Sequence, residues 1–71
     1  MSISAIQFVD KYDQYVKEIK KISKPKYNKV VDRMLKLDPH DFVRPEAWFS
    51  SEQSARGFVW TMFLSQAKKM K

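Results

Sequence analysis

The chain has no cysteine. Disulfide staples and thiolate zinc sites are therefore excluded, and the core must come from apolar packing. Glycine occurs once and proline three times. A single glycine rules out a phosphate-cradling glycine loop, and so few breakers favour long helices over many tight turns. Histidine also occurs once, as His40, which without cysteine makes no familiar zinc site. No apolar run approaches the roughly 18 residues of a membrane span. The stretch Met1-Ser2-Ile3-Ser4 lacks the charged region and apolar segment of a signal peptide. The expectation is a cytoplasmic protein with no cofactor, no metal and no membrane partner.

What is present suffices for a small core. Of 71 residues, 44% are hydrophobic and 14% aromatic, too apolar for a disordered chain. A chain this short forms one domain, 1–71, and buries only roughly 60% of the surface it exposes when unfolded. Such a core gains from a partner or a second copy.

Ala5, Phe8, Val9, Tyr12, Tyr15, Val16, Ile19 and Ile22 recur at helical spacing and fall in one arc. The pattern predicts an amphipathic helix capped by Ser2 or Ser4. Ser23-Lys24-Pro25 ends it, and Pro25 suits the first turn of a second helix running to about Leu37. Tyr27, Val30, Val31, Met34 and Leu35 form its apolar side. Asp38-Pro39-His40-Asp41 is a break, Phe42 and Val43 are anchors over the core, and Arg44–Phe49 reads as a short helical turn. Ser50 with Gln53 fits a capping box for a last helix reaching about Lys69. That helix is apolar around much of its circumference. The fold class expected is all-α, a compact three- to four-helix bundle.

Charge is unevenly placed. The chain carries 14 basic and 8 acidic residues, a net +6. Residues 17–36 hold Lys17, Lys20, Lys21, Lys24, Lys26, Lys29, Arg33 and Lys36 against Glu18 and Asp32, itself a net +6. Residues 37–55 are net −3. On helices, the basic residues make two stripes flanking the Lys24-Pro25 corner, and Lys68, Lys69 and Lys71 extend the surface. Such a surface suits a phosphate backbone, with lysine giving point-charge contacts and little base discrimination. The alternative is a solvated lysine-rich face.

The aromatics on apolar faces read as core. Trp48 and Trp60 are open to two readings: Trp60, near Arg56, either stacks on an unpaired base or covers the 45–49 segment. Catalytic chemistry has little support. His40 with Asp41 as orienting partner lacks a nucleophile, and the carboxylates are scattered. A helix-turn-helix reading would aim Ser51, Gln53, Ser54 and Arg56 at a groove. Glu46 and Glu52 place negative charge where the DNA would lie, so it ranks below RNA-type binding.

The Lys-rich, cysteine-free chain, with its Met1-Ser2 start and Lys68-Lys69-Met70-Lys71 end, resembles the small early accessory proteins of T-even-type phages. One such protein modifies the processing of suppressor transfer RNAs. The resemblance implies RNA binding or binding to host machinery, and it assigns no individual residues.

Two functional expectations follow. The first is a non-enzymatic protein binding structured RNA, rather than DNA, through Lys17, Lys20, Lys21, Lys24, Lys26, Lys29, Arg33, Lys36, Lys68 and Lys69. The second is a protein-interaction module, serving a host enzyme or a homodimer, anchored on Trp48, Arg56, Trp60 and Leu64.

Overall fold

In a computed structural model, which describes residues 2–70, helix α1 spans Ala5–Ile22. Ser4 caps it: its hydroxyl accepts from Gln7 N at 3.3 Å, while Gln7 Oε1 accepts from Ser4 N at 2.8 Å. This reciprocal capping box satisfies two otherwise orphan donors. The predicted arc is the buried face, with Ala5, Phe8, Tyr12, Tyr15, Val16 and Ile19 inside. Ile22 departs from it and is 75% exposed. The chain leaves α1 extended through Ser23 and Lys24, so the last apolar side chain sits at the edge of the core.

The second helix is shorter than predicted. A 3-10 turn at Pro25–Tyr27 precedes α2, Asn28–Leu35. Leu37 N bonds to Met34 O and Lys36 N to Arg33 O, the tight pattern with which helices end. Val30, Val31 and Met34 are buried. Asp38 then caps a 3-10 turn at Pro39–Asp41 by accepting from His40 N at 3.0 Å. Phe42 and Val43 anchor this stretch as expected: Val43 is buried and the Phe42 ring meets Tyr12 at 5.6 Å.

The helical turn expected over Arg44–Phe49 is absent. A turn closed by Ala47 N to Arg44 O leads into a two-residue strand, β2 (Trp48–Phe49), antiparallel to β1 (Ile3–Ser4). Ile3 lies opposite Phe49 and Ser4 opposite Trp48. This ribbon and the bond from Ala5 N to Ala47 O at 2.9 Å give partners to backbone groups ahead of α1. The Phe49 ring also packs against Phe8, with centroids 4.7 Å apart. The molecule is therefore mostly helical with a small two-stranded sheet.

Helix α3 spans Glu52–Lys69. Its cap is Ser51, not Ser50: Ser51 Oγ accepts from Ser54 N at 3.1 Å, and the Ser50 hydroxyl pairs with that of Ser54. Ala55, Val59 and Phe63 are buried. Phe58 is flanked by the rings of Phe8, Phe42 and Phe49. A Cβ at Gly57 would meet nothing within 4 Å, so this glycine is tolerated rather than needed for a close approach.

Helices α1 and α3 run in the same direction. Lys11 pairs with Glu52 at 3.3 Å, Glu18 with Arg56 at 3.2 Å, and Ile22 shares a cleft with Trp60. Helix α2 returns against α1, its Met34 carbonyl accepting from the Tyr12 hydroxyl. The C-terminal ends of α1 and α3 and the start of α2 thus meet at one end of the molecule. No helix among the described residues is long and apolar enough to cross a membrane.

Candidate nucleic-acid interface

All eight basic side chains of residues 17–36 are exposed, as are Lys68 and Lys69; Lys71 lies outside the described residues. They do not form one uniform plane. Lys17 and Lys21 share an open groove on α1 with Asp10, Asp13 and Glu18, a surface of mixed charge. Lys26 and Lys29, from the start of α2, instead meet Lys68 from the end of α3. The three rim a groove of about 490 Å³ with an apolar floor of Tyr27, Val30, Leu64, Ala67 and Met70. Lys20 and Lys69 occupy the last turns of α1 and α3, where the helix dipole favours cations. Arg33 belongs to the last turn of α2 and Lys36 caps it, so both sit farther along that helix.

The ion pairs among the described residues are made by other cations. Lys11 holds Glu52, and Arg56 bridges Glu18 and Glu52. Acidic groups gather toward the opposite end. Asp10 and Asp13 lie on the first half of α1. Asp38, Asp41 and Glu46 lie in the segment between α2 and β2, which packs on that half through Phe42 and Ala47. Lys11, Arg33, Lys36 and Arg44 stand at that end too, so it is of mixed charge, while the end where the three helices meet is mainly cationic.

The groove continues into a neighbouring cleft. Trp60, 40% exposed, stacks on Phe63 with centroids 5.3 Å apart and planes 28° from parallel. It lines a cleft of about 240 Å³ with Ile22, Lys24, Tyr27 and Leu64. Tyr27 and Leu64 line both cavities. The Lys26 ammonium sits 5.0 Å from the Tyr27 ring centroid, a cation–π distance.

Three of the four residues expected to form a protein-binding face gather about Trp60, and Trp48 lies apart. Trp60 lines one cleft with Leu64 and another with Arg56. Arg56 is held by its two carboxylates, with its guanidinium 5.8 Å from the Tyr15 ring. Trp48 is exposed on the ribbon beside Ser4, at the start of α1. Val30 is buried, as its helical spacing implies, and Tyr27 is half-buried, but both also line the groove, while Ile22 and Met70, read from the sequence as apolar-face residues, are exposed. Apolar character at helical spacing reads as core for all four, and only Ile22, the last apolar position before a proline break, carries a signal to the contrary.

Ser51 and Ser54, candidates for groove contacts in a helix-turn-helix, are engaged with each other at the cap of α3. His40 and Asp41 are exposed. Among the described residues no group of three His, Asp or Glu side chains is placed to hold a metal ion. Two phenols are perturbed. Burial first, and the Asp13 charge second, push Tyr12 up to about 12. Burial, followed by the Glu52 charge, also raises Tyr15. Comparison of the chain with protein-family models, curated proteins and solved structures finds no match.

Proposed function

We propose that the protein is a non-enzymatic accessory protein that binds structured RNA, transfer RNA being the type case, through the cationic end where α1, α2 and α3 meet. One observation carries the reading. Lys26, Lys29 and Lys68 come from elements remote in sequence yet rim a single groove, while the ion pairs among the described residues use Lys11 and Arg56. Ammonium groups without carboxylate partners release counterions when they meet phosphates, so affinity falls steeply with salt. Lys20, Lys24 and Lys69 stand at the same end, whereas Arg33 and Lys36, at the far end of α2, lie apart from it. The setting that fits this reading is the cytoplasm of a phage-infected host.

A second reading is a protein-interaction module. Ile22, Trp60, Leu64 and Met70 are large apolar side chains left 36–75% exposed, and contiguous exposed apolar surface marks interaction sites. A homodimer through this end would oppose lysines with lysines, which disfavours a second copy and favours a host protein with an acidic surface.

The test is RNA affinity as a function of salt. Neutralising three phosphate contacts with Lys26→Gln, Lys29→Gln and Lys68→Gln lowers the slope of log Kobs against log[salt] by about 2–3. Lys17→Gln with Lys21→Gln, beside Asp10, Asp13 and Glu18, changes it by less than half as much. Equal slopes for the triple variant and the unaltered protein would refute the assignment.

A further inference from the structure

We propose that the cationic end takes unpaired nucleobases, one of them stacked on Trp60, rather than a continuous duplex. The inference rests on the RNA reading above and names its substrate class: single-stranded loops or ends within a structured RNA.

A surface that meets only a duplex needs phosphate contacts. The paired bases are stacked inside, and exposed apolar side chains add nothing. This end instead places apolar surface between its ammonium groups. The Trp60 indole is backed on one side by Phe63, which fixes its orientation, and it still keeps 40% of its surface open. Lys24 lines the same cleft and supplies a cation for the phosphate next to a stacked base. From that cleft the path crosses Leu64 and Tyr27 into the larger groove, where Lys26, Lys29 and Lys68 stand around an apolar floor. An aromatic platform followed by a lysine-rimmed groove is the arrangement that binds single strands with little sequence preference, because every base has a π face and every nucleotide a phosphate. An acidic amphipathic helix also complements lysines around an apolar groove. It needs no flat ring pinned from behind, and the Trp60–Phe63 stack is what favours a base.

The experiment uses Trp60 as its own reporter. The chain has two tryptophans, and Trp48 is exposed on the ribbon, so Trp48→Phe leaves Trp60 as the sole tryptophan, read with excitation that spares tyrosine. That variant is titrated at low salt with a 20-nucleotide oligouridylate and with an RNA duplex of equal length. The inference expects strong quenching by the single strand and little by the duplex. It also expects Trp60→Leu to weaken the single strand about tenfold or more while leaving duplex affinity unchanged. Should Trp60→Leu unfold, Leu64→Gln on the exposed saddle between the two cavities gives the same discrimination. Binding of single strand and duplex alike, without quenching, overturns the inference and leaves the phosphate reading standing. Binding of neither RNA overturns both and leaves the cavities to an acidic protein segment.

Discussion

Tyr12 shows how one buried side chain ties the helices together and how its chemistry can be read out. Its ring is fully buried and its hydroxyl donates to the Met34 carbonyl at 3.3 Å. Burial and the Asp13 charge raise its pKa from 10.0 to about 12, so the fold favours the neutral phenol. The stability this contributes is whole below the unfolded value and is lost as pH rises through the folded one. Tyr15, also raised, acts in the same direction. Urea unfolding should therefore show a decline in stability between pH 10 and 12. Tyr12→Phe should cost about 1 kcal/mol at neutral pH through the lost hydrogen bond and flatten that decline. An alkaline limb unchanged by the substitution would contradict the burial argument. Arg56 marks what can be read at this scale. Its i,i+4 pairing with Glu52 follows from helical spacing, whereas its closer contact with Glu18 depends on α1 and α3 lying side by side. Arg56 therefore read as a free anchor in the sequence, although two carboxylates hold it in the fold.

Helix α1 was legible because its apolar positions recur over 18 residues, long enough for a 3.6-residue period to stand out, whereas α3, apolar around much of its circumference, was legible from its serine-rich start and its 18 residues without proline. The ribbon was not. Two-residue strands carry no period, and the pairing of Ile3 with Phe49 joins positions with no local signal between them. Pro45 in a stretch without other breakers favoured a helical turn instead. The cap of α3 slipped by one residue for a similar reason: Ser50 and Ser51 are adjacent, and only backbone geometry separates them. Ser51→Ala should accordingly lower stability by about 1 kcal/mol, and Ser50→Ala by a few tenths. Gly57→Ala should raise it by about 0.5–1 kcal/mol, since an added Cβ meets open space and alanine is the better helix former. Thermal unfolding of the three variants checks both statements. A destabilising Gly57→Ala would mean that the outer face of α3 is covered by something the isolated chain does not show.

Taken whole, the molecule gathers its cationic excess at one end and leaves the other of mixed charge. Acidic groups lie with the ribbon, the first half of α1 and the segment between α2 and β2, and lysines crowd the end where the three helices meet. Counting charge along the chain located the excess in residues 17–36. It could not show that Lys17 and Lys21 share a groove with carboxylates, or that Lys68 crosses over to join Lys26 and Lys29. Those relations belong to the tertiary fold. The most direct test of the central claim is an amide chemical-shift map of the isotope-labelled protein titrated with transfer RNA at low salt. Shifts concentrated in Lys24–Val30 and in Leu64–Lys69, with Asp38–Trp48 silent, are the predicted result. Shifts centred on Trp48 and the acidic segment, or none anywhere, would contradict it.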